Sequence, residues 1–328
     1  VSTGRLFSKV VRVTCWRESA PIDPTNFTPK ILGNTLGQTL ASSAVVPIYS
    51  AIAKGQGETV GKNTAPKNVP NAVEVTDLRV QFKVTRGLTK TPPQADVIIT
   101  NLSETTRTSL ETKPLLVQLD AGYDGTPRLL FIGDMRFAMT ELKPPDWETL
   151  LQLGDGDCHH RWSRVNRSYA PGTTYLTALQ NAAKSFGMKL PDNVVKDPAL
   201  QQQFATGHVS QGATRDEFTR LLAPFGYHWS IQHGQLLVQR DDEVVPGEFY
   251  AIDEENGMIG TPQFGSPPRS GKPPHVHVDT LLYPELMPGK LVQLTSKALK
   301  GKFKIVRTEH HGDSHGDRWT TRCELKPI

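Results

Sequence analysis

The residues with the clearest chemical potential are histidines. His275, His277 and Asp279 alternate along HVHVD. On a strand, residues two apart point to one face, so two imidazoles and a carboxylate would converge as a donor set for a divalent metal. Such a metal could activate water in a hydrolase. The competing expectation is an exposed strand face carrying two neutral imidazoles. Some amidohydrolases open with a similar H-x-H at a barrel strand end, but that fold needs eight βα units and this chain lacks them. His310, His311 and His315 form a second cluster in TEHHGDSHGDRW, where Gly312, Asp313, Gly316 and Asp317 are turn formers. A polar hairpin linking two terminal strands is expected there rather than a metal loop. Cys158-His159-His160 offers zinc donors, yet no second Cys/His pair lies at zinc-ribbon spacing. Gly154-Asp155-Gly156-Asp157 resembles the start of a calcium loop, but Val165 stands where the closing Glu is needed, so a turn is expected. No G-x-S-x-G, P-loop or G-x-G-x-x-G occurs. No catalytic or cofactor-binding residue and no cofactor is therefore assigned. His275, His277 and Asp279 stay as the alternative metal site of a metal-dependent or cell-wall-degrading hydrolase.

The elements that would position these groups are mostly strands. Lys9–Trp16 is a β-branched run of strand length. Val73–Val84 alternates with a period close to two, and Ala95–Thr100 is a further strand. Asn101-Leu102-Ser103-Glu104 starts a short helix with Ser103 as cap. Leu115–Tyr123 and Arg128–Ile132 flank the hairpin signal Asp124-Gly125. Met135–Lys143 and Trp147–Leu153 flank Pro144-Pro145, so this region is a β-meander.

The middle of the chain differs. Thr173–Phe186 carries Leu176, Leu179, Ala183 and Phe186 on one helical face. Thr214–Glu217 reads as a capping box opening a second helix, and Tyr227–Gln239 as a hairpin turning at His233-Gly234. After Arg240 the strands return. The order all-β, α+β, all-β excludes a TIM barrel and a doubly wound sheet.

Composition narrows the function. The 328 residues suggest two domains or slightly more, at roughly 150 per domain. Lys+Arg 37 against Asp+Glu 33 leaves +4, and the basic residues Arg12, Arg79, Arg128 and Arg136 are scattered singly, so nucleic-acid readout is not expected. No apolar run is long enough for a membrane span, and VSTGRLFSKVVRVTCW lacks the pattern of a signal peptide. Three dispersed cysteines, Cys15, Cys158 and Cys323, suit a reducing compartment. Residues 17–70 read as a polar extended arm, with no charged side chain between Lys30 and Lys54 and one apolar island at Ala44–Ala53.

The pieces taken in order carry a resemblance. ADVIITNLSETTRTSL, VQLDAGYDGTPRLLFIGDMR and PPDWETLLQLGDGD are followed by SYAPGTTYLTALQNAAKSFGM, ENGMIGTPQ, LLYPELMPGKLVQL and HHGDSHGDRWTTRCEL. Together, from Val73 to Leu325, they resemble the baseplate hub proteins of contractile-tailed bacteriophages. That family is shared with phage-tail-like bacteriocins and type VI secretion spikes, and residues 17–70 depart from its shorter pattern. The resemblance implies a mainly β fold with two tail-tube-like β-barrel domains and a small helix-and-hairpin domain. The expected division is 1–16 with 71–165 as one tube-like domain, 17–70 as the arm, 166–240 as the α+β insert, and 241–328 as a second tube-like domain interleaved with the first. It also implies a structural, non-enzymatic role in the virion tail baseplate, assembled in the host cytoplasm. A homotrimer would join the six-fold tail tube, or a tube-initiator protein, to a three-fold central spike. Other baseplate proteins would surround it, and DNA would be only a non-specific passing cargo.

Overall fold

The β-branched run at the start of the chain is a strand, β1 (Lys9–Trp16), as its composition predicts. The computed structural model describes residues 8–16, 72–112, 116–123, 126–240, 243–244, 250–265 and 273–328. The expectations for residues 17–70, for the island Ala44–Ala53 and for the turn Asp124-Gly125 lie outside the described residues.

Alternation builds the next strands: β2 (Val73–Val75), β3 (Val80–Gly87) and β4 (Gln94–Thr100). Asn101 then adopts φ 58°, a left-handed conformation that asparagine tolerates, and turns the chain into α1 (Glu104–Thr112). Ser103 Oγ accepts the N–H of Thr106 at 3.3 Å, the expected cap. β5 (Leu116–Tyr123) leads to β6 (Thr126–Lys143) and β7 (Asp146–Gly154). Two strands were expected over 128–143, but one strand of 18 residues is present. Gly133-Asp134 looks like a break in the sequence, yet Asp134 is simultaneously opposite Leu116 of β5 and Gly154 of β7. Continuous pairing on alternate sides carries the strand through.

The middle unit comprises α2 (Asp157–Trp162), β8 (Arg164–Tyr169), α3 (Tyr175–Ser185), α4 (Asp192–Val195), β9 (His208–Ala213), α5 (Thr214–Leu222), β10 (Tyr227–Gln232) and β11 (Gln235–Arg240). Thr174 caps α3 by accepting the N–H of Thr177 at 3.2 Å. His233 and Gly234 turn the β10–β11 hairpin with φ 50° and 67°. Positive φ at both central residues makes a tight turn whose twist matches the strands. The capping box at Thr214–Glu217 does not form. Ala213 stands at the cap position without a side-chain bond, and Glu217 turns instead to Ser210 Oγ at 2.7 Å, His208 Nε2 at 2.9 Å and Arg220 Nε at 2.9 Å. The antiparallel pair β8–β9, α2 and α4 were not legible in the sequence.

The last elements are β12 (Tyr250–Ile252), β13 (Met258–Phe264), β14 (Val276–Leu281), β15 (Leu291–Thr295), β16 (Lys300–Asp313) and β17 (Trp319–Pro327). They join the first group in one 13-stranded sheet, ordered β13-β14-β17-β16-β3-β4-β7-β6-β5-β1-β2, with β15 and β12 attached beside β16. One strand makes the junction. Residues 300–304 of β16 pair with β15, the register shifts between Ile305 and Arg307, and residues 307–313 pair with β3. The bulge lets one strand serve two partners on the same side.

Hydrophobic packing follows this hand-over. Val13, Val80, Val97, Leu119, Phe131 and Leu151 form one cluster, and Leu282 and Trp319 from the C-terminal region pack into it. Leu179, Phe186, Phe218 and Trp229 centre the middle unit. Val278, Val292, Ile305 and Leu325 centre a third cluster with Cys323. Packing therefore crosses the expected boundary at residue 241. Each fully buried aliphatic or aromatic side chain contributes about 1.5–3 kcal/mol relative to exposure. Gly312 fits this scheme: a Cβ there would lie 2.2 Å from the Phe82 ring, which itself packs edge-on against Trp319 at 5.5 Å.

Candidate functional site

β14 does place His277 and Asp279 on one half-buried face, with Val276, Val278 and Thr280 inward. His275 lies just before the strand. The neighbouring strand β17 then claims the donors. His275 Nδ1 lies 2.6 Å from Glu324 Oε1, and Arg322 grips both oxygens of Asp279 at 2.7 and 2.9 Å. A guanidinium held bidentately already supplies the positive charge that a metal ion would bring to this carboxylate. His275 and Asp279 are thus tied across to β17, and among the described residues no group of three or more His, Cys, Asp or Glu is placed to hold a metal ion.

The second histidine cluster is split by the strand period. His310 and His311 belong to β16 rather than to a loop, so they face opposite sides. His310 is fully buried and bonds Thr321 Oγ1 through Nδ1 at 2.9 Å. His311 is half-buried on the outer face, its pKa lowered by burial and by Lys83. His315 sits in the turn, where its backbone N–H bonds Asp313 Oδ1 at 3.0 Å. His159 is buried at the insert, its pKa pushed down to about 4 by desolvation. His160 packs beside Trp229 at 6.2 Å.

The Gly154–Asp157 segment is a turn, as expected, and the turn has a task. Asp155 is fully buried and accepts the N–H of Gly234 at 2.9 Å and that of His233. A carboxylate at the end of β7 thus holds the tip of the β10–β11 hairpin. Arg86 is the residue that the sequence reading passed over. It is 1% exposed, donates through Nη2 to Leu130 O, and lies 2.6 Å from His233 Nε2. The signal was present: Val80, Phe82, Val84 and Arg86 occupy successive inward positions of β3. The scattered arginines noted from composition are each ion-paired: Arg12 with Glu74, Arg79 with Asp313, Arg128 with Glu285 and Arg136 with Asp157. Arg79 holds the Asp313 carboxyl well below its usual range.

A cleft of 700 Å³ opens on the outer sheet face between Lys83, Asp96, His311, Asp313 and Arg318. It mixes acids and bases without a nucleophile–base pair. The more distinctive surface is the β6–β7 hairpin. β6 has β7 on one side over residues 134–143, whereas β5 pairs only with residues 126–134. Beyond Asp134, the second edge of β6 therefore has no strand partner among the described residues. Phe137, Met139, Leu142 and Trp147 on this hairpin are 46%, 36%, 53% and 41% exposed. At one end of the sheet β13 has β14 as its one strand partner among the described residues and exposes Ile259 and Phe264. Exposed apolar edges are strand-pairing surfaces unless something covers them.

No family model and no curated protein matches the sequence. Solved structures do match. The 43 kDa tail protein of prophage MuSo2 from Shewanella oneidensis superposes with TM-score 0.56 at 10% identity, covering 78% of this chain and 94% of its own. The tail protein from Neisseria meningitidis MC58 gives 0.55 at 12% identity, covering 77% of this chain and 93% of its own. The chain has the fold of phage tail proteins. An E. coli type VI secretion component, described as structurally similar to T4 bacteriophage tail proteins gp27 and gp5, gives 0.51 at 11% identity over 77% of this chain and 74% of its own. The likeness covers 77–78% of the chain in each of these three structures. Among the described residues no helix is long and apolar enough to cross a membrane.

Proposed function

We propose that the protein is a structural baseplate hub of a contractile tail, a homotrimer joining the six-fold tail tube to a three-fold central spike. The observation that carries this reading is the tail-protein fold over 78% of the chain. The exposed apolar side chains on β6 and β13 support it, because a ring needs two complementary surfaces on each subunit. In this reading the two β regions are tube-like domains interleaved through β16, and residues 166–240 decorate the ring. The protein acts without cofactor or catalytic residue, within the virion tail and after assembly in the host cytoplasm. Its partners are the spike, the tube or tube initiator, and other baseplate proteins. DNA passes the axis as non-specific cargo, which the modest charge of +4 suits, since a strongly basic lumen would retain it.

The E. coli neighbour favours a second reading, a hub of a type VI secretion spike, with the same assembly logic. Electron microscopy of the purified chain tests the shared core of both. A three-fold ring, with each subunit burying well over ~1,000 Å², supports the hub. A monodisperse monomer at assembly concentrations, unable to bind any spike protein, sinks it. Co-purification with a tube protein or with a secretion-system sheath separates the two readings.

A further inference from the structure

The interior between β3, β16 and the β10–β11 turn gathers polar groups that no other described residue satisfies. Arg86 and Thr308 are direct cross-strand partners, and His310 follows on the same inward face of β16. Their exposures are 1%, 0% and 0%. Arg86 Nε and Nη1, Thr308 Oγ1 and His310 Nε2 have no hydrogen-bond partner among the described residues. Buried polar groups without partners are rare and costly, about 1–3 kcal/mol each.

The chemistry of these four atoms is one-sided. A guanidinium only donates, so Arg86 offers an N–H at Nε and two at Nη1. Thr321 Oγ1 accepts the N–H of Tyr283 at 3.1 Å, and with its own proton assigned to His310 Nδ1 at 2.9 Å, His310 Nε2 carries a hydrogen. Thr308 adds a hydroxyl donor. Water in such a place would need acceptors for its own two protons, and three of the four atoms cannot accept. An acceptor-only species fits. Arg86 makes no hydrogen bond to a carboxylate: Nη2 goes to Leu130 O and to His233 Nε2. The nearby Asp155 is committed to the backbone N–H groups of His233 and Gly234. Burial lowers the Arg86 pKa to about 10, and the buried Asp155 carboxylate opposes that shift.

We propose that Arg86, Thr308 and His310 form an interior site for one small monovalent anion of the halide class, which cements the inward faces of β3 and β16 next to the insert hairpin. The site is independent of the hub reading, since any assembly of the chain would retain it.

The test uses the full chain and bromide as the probe. Replacing sodium gluconate by sodium bromide at fixed ionic strength is expected to raise Tm saturably, by about 2 °C or more. Crystals grown in bromide should show one anomalous peak within hydrogen-bond distance of Arg86 Nε. Thr308→Val keeps the shape and removes one donor, so half-saturation should move to about tenfold higher bromide. It also controls for general salt effects. Arg86→Met should abolish the dependence, and if it does not fold, Thr308→Val carries the comparison. Equal halide responses in wild type and Thr308→Val, or ordered water at Arg86 with no anomalous signal, would overturn the site.

Discussion

Asp155 Oδ1 accepts the backbone N–H of Gly234 at 2.9 Å, and these residues stand 79 positions apart in the chain. This bond, with its companion from His233, fastens the insert hairpin to the end of β7. Because both amides are buried at the turn, nothing else nearby replaces the carboxylate.

Asp155→Ala should therefore destabilise the protein by about 2–4 kcal/mol, from two amides left without an acceptor. Asp155→Asn keeps one acceptor oxygen and should cost less. Urea unfolding measures the difference. Hydrogen exchange at Gly234 locates it, and an unchanged exchange rate there in Asp155→Ala would remove the fastening role.

Much of this architecture was legible because it is local. The His233-Gly234 turn, the Thr174 cap and the alternation of β3 each rest on a few adjacent residues. What escaped is non-local. Thr214 and Glu217 have capping-box spacing, but Ser210 and His208 on β9 compete for the carboxylate, and no local pattern reveals that competition. Gly133-Asp134 looks like a strand break until β5 and β7 are seen to flank it. His277 and Asp279 do share a face of β14, as the period of two requires, while His275 lies just before the strand. Their partners Glu324 and Arg322 lie on a strand more than forty residues away, and pairing register decides whether a metal could compete.

Acid should destabilise the fold through its buried imidazoles. His159 is pushed down to about 4, and His233 and His310 lie well below the ordinary value, all mainly through desolvation. A depressed histidine is neutral when folded and protonates first when unfolded, so stability falls as pH drops below 6.5. Asp120 and Asp155, raised to about 6 by burial, oppose this, because the folded state binds their protons first as pH falls through 6. His160 and His311, also lowered mainly by burial, add to the loss, so five depressed histidines against two later gains give a net fall between pH 7 and 5. His159→Gln should remove about 2 kcal/mol of it, and urea titrations at the two pH values check the slope.

The thiols should report burial directly. Cys15 and Cys323 are buried and desolvation pushes both up to about 12, whereas Cys158 is half-buried at the start of α2. Thiolate is the reactive form, so a polar disulfide reagent should modify one thiol per native chain and three after unfolding. Cys158→Ser should reduce the native count to none. Rapid modification of Cys323 in the native protein would mean that the third hydrophobic cluster opens readily.

Assembly and folding should separate on the β6–β7 hairpin. Phe137 is 46% exposed and Met139 36%, and both point outward from a strand whose second edge is open. Their replacement by lysine removes little buried area within one chain, so the stability of the monomeric fold should change by about 0.5 kcal/mol or less. Lysine on an edge strand also blocks pairing with another strand. Phe137→Lys combined with Met139→Lys is expected to shift a trimer towards monomer by at least about tenfold in dissociation constant, the effect of losing about 1.4 kcal/mol per interface. Ile259→Lys on β13 should do the same if the β13 edge meets the β6–β7 hairpin between subunits. Sedimentation velocity gives the oligomer distribution, and urea unfolding of the same samples shows whether the fold is intact. A double variant that leaves the oligomer distribution unchanged would remove the β6–β7 hairpin from the subunit contact of the proposed trimer.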